Sequence, residues 1–430
     1  MCSSTTSEKG QVMTMVKYEI KKVLCRPSGK IALFLFICVV VLSCWITAAG
    51  DEFGSIIWVN EQGEEETGFA AYQKLREAQK EWAGYLDQEH LADIIRELNR
   101  IAATPEAQSD DYNQNDIAFS WKLAVEPVRT MLYRTFSPGL QDFDYYLADS
   151  LSPSVAREFY SRRVELLRSY LYEEGNQEAA TLSDREKEYL ISQYEKLEDP
   201  IYYDYHRGWF QTLDGLSYIM LLGTLILGYL VSGIFSNEFK WKADAVYFTT
   251  CYGRNKAVAS KIKAGALLVS VLYWGSVLIC TLFTLCCCGF DGGNCVIQFD
   301  WYRSMYNLTY WQAYLLYVIS SYIGMLFIAF LCMWVSAKTR SSVFAVTIPF
   351  ILVFVPNFLE NSTFADALSK ILGLLPDNLL DLTQHLKSFD VYDLGFTVTG
   401  AWPLLLVLYT ILAFVLVPVM YREFRTKQIS

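Results

Sequence analysis

"GLSYIMLLGTLILGYLVSGIF" (Gly215–Phe235) is a stretch without a single charge. One residue on begins "NEFKWKADAVYFTTCYGRNKAVASKIK" (Asn237–Lys263), which carries six Lys or Arg against one Glu and one Asp. A helix of about 20 apolar residues crosses a bilayer, so the first string reads as a span and the second as a polar connector at its foot. Five further charge-free runs recur, at Ile31–Ala49, Ala264–Cys287, Tyr310–Val335, Ser342–Leu359 and Ala401–Tyr421. One such run could be a buried core helix. Six of them, in a chain of 430 residues that is 53% hydrophobic with a mean hydropathy of +0.21, describe a polytopic helical membrane protein.

Orientation follows from the excess of Lys and Arg in cytoplasmic segments. Lys9, Lys17, Lys21, Lys22, Arg26 and Lys30 precede the first run. Lys338 and Arg340 separate the fourth run from the fifth, and Arg422, Arg425 and Lys427 follow the last. Placing these on one side together with Asn237–Lys263 requires an even number of spans. The expected fold is all-α: six transmembrane helices with both termini cytoplasmic, plus a mostly helical extracellular domain. Ala48-Ala49-Gly50 has the look of a cleavage site, but the apolar run before it exceeds the core of about 7–15 residues of a secretory signal. Residues 1–50 are therefore expected as a cytoplasmic amphipathic helix and a retained first span. Residues 51–214 form the extracellular domain, and residues 215–430 the other five spans.

Residues 51–214 contain 33 acidic and 16 basic residues, a net of −17, whereas the rest of the chain carries +7 of the overall −10. In this domain Phe69, Tyr72, Leu75, Ala78, Trp82, Leu86, Leu91, Ile94, Leu98 and Ile101 recur at helical steps, as in one long or broken amphipathic helix. Ser152-Pro153 is spaced to cap a second helix that runs to Gly175, and Ser183 with Glu186 forms a capping box for a third. A fourth is expected over Trp121–Phe136, interrupted at Pro127. The strings "QDFDYYLADS" and "PIYYDYHRGWF" are rich in aromatic residues; they suit core packing and an interfacial belt, or an acidic surface for a cationic amphipathic peptide.

All eleven cysteines lie outside residues 51–214, so the domain is expected to hold no disulfide. That fits the plasma membrane of a Gram-positive bacterium better than a large secreted eukaryotic domain. The chain has no GxxxxGK[ST] loop, no zincin motif and no GxSxG, and His90, His206 and His385 are far apart. No catalysis and no nucleic-acid partner are expected. The charge-free spans also offer no ionisable lining for a channel.

In the connector, Glu238 opens the polar segment, and Ala243, Val246 and Tyr247 fall at i, i+3 and i+4, the spacing of a short amphipathic helix along the cytoplasmic surface. Thr249–Gly253 breaks that pattern, and Arg254–Lys263 leads into the third span. This arrangement resembles the membrane (permease) subunit of type-2 ABC transporters, the ABC exporter permease family. There the segment after the second span starts with Glu and ends in a turn, an Arg, and a Lys at the foot of the third span. Glu238, Arg254 and Lys261 stand at the matching spacing, and Thr249-Thr250 match the approach to the turn. Lys242 replaces the family's Gly, Cys251 its Pro and Gly253 its Ser. The resemblance extends over the membrane region. It includes the basic amphipathic stretch "MVKYEIKKVLCRPSGK" before the first span and the two apolar pieces of "FADALSKILGLLPDNLLDLTQHL" (Phe364–Leu386), which look like extracellular re-entrant helices within residues 360–390. The large insertion between the first two spans departs from the family plan.

The resemblance implies that residues 237–263 dock as a coupling helix on a separate ABC ATPase, with Glu238, Ala243, Val246, Tyr247, Arg254 and Lys261 as coupling residues. It implies a second permease subunit, identical or homologous, within the lipid bilayer. It further implies export of an amphiphilic peptide, antimicrobial or lipid-like substrate, with ATP and Mg held by the partner and no cofactor or metal in this chain. The residues alone leave a second class open: a membrane receptor or sensor whose extracellular domain binds a peptide ligand and signals inward.

Overall fold

The computed structural model of the chain describes residues 4–49, 56–242, 249, 253, 255–359 and 370–426. Helix α1 (Ser4–Leu24) and helix α2 (Pro27–Ala49) meet at Cys25–Arg26, where Pro27 opens α2 with a φ already suited to a first helical residue. Between α2 and the next membrane helix lies a mostly helical unit.

Its elements are β1 (Trp58–Val59) paired with β2 (Glu65–Glu66), then α3 (Gly68–Glu81), β3 (Gly84–Tyr85), α4 (Gln88–Ala102), α5 (Tyr112–Lys122), α6 (Glu126–Phe136), α7 (Phe159–Tyr172), α8 (Gln177–Ala180), α9 (Asp184–Tyr194) and β4 (Tyr202–Tyr203). The long amphipathic pattern is two helices. Gly84, at φ +155°, lets the chain turn out of α3 and pair Gly84–Tyr85 with Tyr202–Tyr203. Asp87 then restarts the helix by accepting from the backbone N–H groups of Glu89 and His90. Leu91, Ile94, Ile95, Leu98 and Ile101 of α4 are fully buried, whereas Phe69, expected on the same stripe, is exposed. Pro127 sits in the first turn of α6 and starts that helix where the sequence suggested an interruption; the break falls at Leu123–Val125. Ser152 caps a 3-10 turn, Pro153–Glu158, which passes into α7, and α7 ends at Tyr172, before Gly175. The Ser183–Glu186 capping box opens α9 as expected.

Helices α10 (Arg207–Lys240), α11 (Lys256–Cys288), α12 (Tyr310–Thr339), α13 (Ser342–Leu359) and α16 (Ala401–Arg425) form the rest of the bundle. Between α13 and α16 stand two short helices, α14 (Asp377–Leu380) and α15 (Thr383–Lys387), and a hairpin of β5 (Val391–Asp393) and β6 (Val398–Gly400) that the sequence did not announce. Among the described residues five helices are long and apolar enough to cross a membrane: α2, α10, α11, α12 and α16. The sixth expected span corresponds to α13, which is shorter and holds Pro349 and Pro356.

Helix α10 is the axis of the bundle, with α2, α11, α12 and α13 packed around it, and α16 lies against α12. At 34 residues it is about 50 Å long, so it overreaches a hydrocarbon layer of about 30 Å. Close approach depends on small residues. The Ser43 hydroxyl donates to the Gly215 carbonyl at 2.5 Å, and a Cβ on Gly215 would stand 2.2 Å from the Thr47 methyl.

The helical unit is keyed onto the loops at one end of this bundle. Asp291 bridges Arg76 and Lys80 at 2.6 and 2.7 Å, Lys370 reaches Glu186 at 2.7 Å, Arg185 reaches Asp393 at 3.0 Å, and Arg303 pairs with Glu178. Aromatic contacts reinforce them: Tyr203 packs on Phe299, and Tyr194 and Tyr170 pack on Phe389.

Candidate functional site

Glu238, expected to open a surface helix, instead belongs to the last turn of α10 and is 5% exposed. The helix continues through it because Ser236–Lys240 contains no breaker, and it stops at Trp241 and Lys242. The Trp241 N–H bonds to the Asn237 carbonyl, and Lys242 takes a left-handed φ of +55°. A left-handed residue after the last turn is the usual glycine stop of a helix. The position where Lys242 replaces the expected Gly therefore adopts the conformation that glycine favours.

Lys261, near the start of α11, is fully buried and meets Glu238 directly. Its Nζ donates to Glu238 Oε1 at 2.7 Å, to Glu19 Oε2 at 2.8 Å and to the Ile234 carbonyl at 3.1 Å. Lys22 adds contacts of 3.0 Å to Glu238 Oε1 and 3.3 Å to Glu19 Oε1. Two carboxylates and two ammonium groups thus form a closed square that joins α1 to the ends of α10 and α11. Burial alone would lower the Lys22 pKa, but the Glu19 and Glu238 carboxylates outweigh it and hold the ammonium above its ordinary value. Arg26 flanks the square with its guanidinium 4.1 Å over the Trp241 ring.

Of the six expected coupling residues, the structure brings Glu238 and Lys261 together. Ala243, Val246, Tyr247 and Arg254 lie outside the described residues. Glu19 and Lys22 were missed. The available signal was small: Glu19 is the one carboxylate in "MVKYEIKK", three residues before Lys22.

At the other end of the bundle the imidazole of His206 is stacked between Phe299 and Tyr310, with ring centroids 5.3 and 5.0 Å away. Its Nδ1 lies 2.9 Å from the Asp204 carbonyl and its Nε2 3.3 Å from Asp300 Oδ2. Both nitrogens face acceptors, as suits a doubly protonated ring. Burial pushes the His206 pKa down, but the Asp300 carboxylate and the neighbouring Cys295 outweigh it and raise the value.

In the helical unit, Arg129 is wholly buried and bonds Asp149 Oδ1 at 2.7 Å, the Tyr145 carbonyl at 2.9 Å and Glu126 at 3.2 Å. This is a structural pin for α6. Where that unit meets the segment before β5, a cavity of about 1220 Å³ is lined by Asp142, Glu173, Glu174, Glu178 and Asp390 with Tyr170, and among the described residues by no basic one. Among the described residues no group of three or more His, Cys, Asp or Glu converges as a metal site requires. Comparison with protein-family models, curated proteins and solved structures finds no significant match to the chain.

Proposed function

We propose that the chain is the permease subunit of an ATP-driven exporter of the type-2 ABC kind, with six spans, both termini cytoplasmic and the helical unit outside. The observation that carries this reading is the buried square of Glu19, Lys22, Glu238 and Lys261. The segment 243–254 joins α10 to α11, and the square fastens the ends of both helices to each other and to α1. A force applied to that segment by a nucleotide-driven partner would move α10, α11 and α1 as one lever, and α10 carries it to the centre of the bundle. The basic residues of Asn237–Lys263 support a cytoplasmic position for this end, where such a partner would be. On the far side, the acidic cavity beside Tyr170 suits a cationic amphiphilic substrate, and the greasy outer faces of α2 and α16 border the lipid through which it would move.

The test is purification of the tagged chain from its native membrane, with assay of the ATP hydrolysis that comes with it. An ATPase should co-purify. Arg254→Glu should lose it while the melting temperature of the permease stays at the wild-type value. An unaltered association in Arg254→Glu, or no hydrolytic partner at all, would overturn the reading. A receptor would instead bind ligand on the outer unit without any ATP-hydrolysing partner.

A further inference from the structure

A cavity of about 1160 Å³ opens between α1 and the foot of α11, outside the buried square. Met13, Val16, Ile20 and Leu267 supply apolar lining, and Lys17, Lys21, Lys256 and Lys263 line the same cavity. Among the described residues, none that lines it is acidic. The contrast with the square, a few residues away on the same helices, is informative. There both ammonium groups face carboxylates, whereas here Lys17, Lys21 and Lys263 are exposed and line one cavity. Met13 is 76% exposed although it heads the apolar face of α1. An amphipathic helix of this make-up rests in the headgroup region with its apolar face toward acyl chains. A pocket lined by apolar and cationic side chains together is complementary to an anionic phospholipid, with its phosphate at the lysines and its chains along Val16, Ile20 and Leu267.

We infer that the groove between α1 and α11 is a binding site for an anionic phospholipid of the adjoining leaflet. Basic pockets between membrane helices hold acidic headgroups, and each lysine near such a surface is worth about a 5-fold gain in affinity. The lipid would wedge against the outer side of α1 and press the helix onto α10 and α11, where Glu19 and Lys22 are anchored. This inference stands on the groove alone and does not depend on an ATPase partner.

The experiment measures thermal unfolding of the full delipidated chain in detergent while phosphatidylglycerol, phosphatidylcholine or glycerol phosphate is titrated in. Phosphatidylglycerol should raise the melting temperature saturably, and the other two should not. Lys17→Glu with Lys263→Glu should weaken the response by about 25-fold or more. Lys17→Arg with Lys263→Arg should retain it, as should Lys74→Glu, which alters an exposed lysine of α3. Should the reversed pair fail to fold, Lys17→Gln with Lys263→Gln serves in its place. Equal responses to the two lipids, an equal effect of glycerol phosphate without acyl chains, or full binding by the charge-altered pair would each overturn the inference.

Discussion

At the scale of residues, the deciding feature is a charge that looks exposed in the sequence and is not. Lys261 has no surface of its own, and its ammonium is held by Glu19 and Glu238. Breaking a buried pair from one side leaves uncompensated charge and costs about 3–5 kcal/mol, whereas removing the charges together is far milder. Lys261→Met should therefore lower the melting temperature in detergent sharply. Adding Glu19→Gln and Glu238→Gln to it should restore most of the loss; a triple variant no better than the single one would refute the network. His206 offers a second test, through pH. Its folded pKa is raised, so its contribution is complete below the unfolded value of about 6.5 and drains away as pH rises through the folded value. Asp300 is shifted the other way: burial works upward, but the His206 charge outweighs it, so the pair also weakens in strong acid. The melting-temperature gap between wild type and His206→Gln should be wide near neutrality and shrink as the solution is made alkaline. A constant gap would mean that the ring is not charged.

At the scale of elements, packing is set by where two backbones touch. A Cβ on Gly208 would lie 2.0 Å from the Gly289 carbonyl oxygen, which as backbone has no rotamer to yield. Gly208→Ala should cost about 1–3 kcal/mol by prising the start of α10 from the end of α11. Gly275→Ala, in the middle of α11 with nothing within 4 Å of the added atom, should leave stability intact. If both variants melt alike, the contact is not limiting. The same scale shows what the sequence could tell. Five long apolar helices, the Ser183–Glu186 box and the buried face of α4 are local patterns, so they were legible. The division of α3 from α4 depends on Gly84 pairing with Tyr203, more than a hundred residues away, and no window shows that. The β5–β6 hairpin is likewise too short to carry a periodic signal. For the candidate site, Glu238 and Lys261 could be singled out through the resemblance to a family pattern. Glu19 could not be joined to them, because it meets Lys261 across 242 positions of chain.

At the scale of the whole molecule, the helical unit and the bundle share one hydrophobic core. Tyr194, Tyr203 and Tyr302 are buried where the two meet. An isolated fragment of residues 51–207 should accordingly be helical by circular dichroism yet bind a hydrophobic dye, since Phe299 and Phe389 no longer cover it. A dye-silent, sharply melting fragment would show instead that the unit is self-sufficient. The number of crossings is the remaining global quantity, and it turns on α13. Its 18 residues reach about 27 Å, just short of a hydrocarbon layer of about 30 Å, and two prolines interrupt its hydrogen bonds. Yet α13 packs on both α10 and α12 and carries no charge, so neighbouring helices can shield its unpaired carbonyls. If it crosses, the chain has an even number of spans and its two ends share a side. If it does not, they are opposed. Probes placed by substitution at Lys17, Asp110 and Arg425 in a cysteine-free background distinguish the cases with an impermeant thiol reagent. The expected result is labelling from outside at Asp110→Cys, and protection at both Lys17→Cys and Arg425→Cys until the membrane is opened. External labelling of Arg425→Cys with Lys17→Cys protected would remove α13 from the spans, and with it the common cytoplasmic face on which a lever moved from below depends.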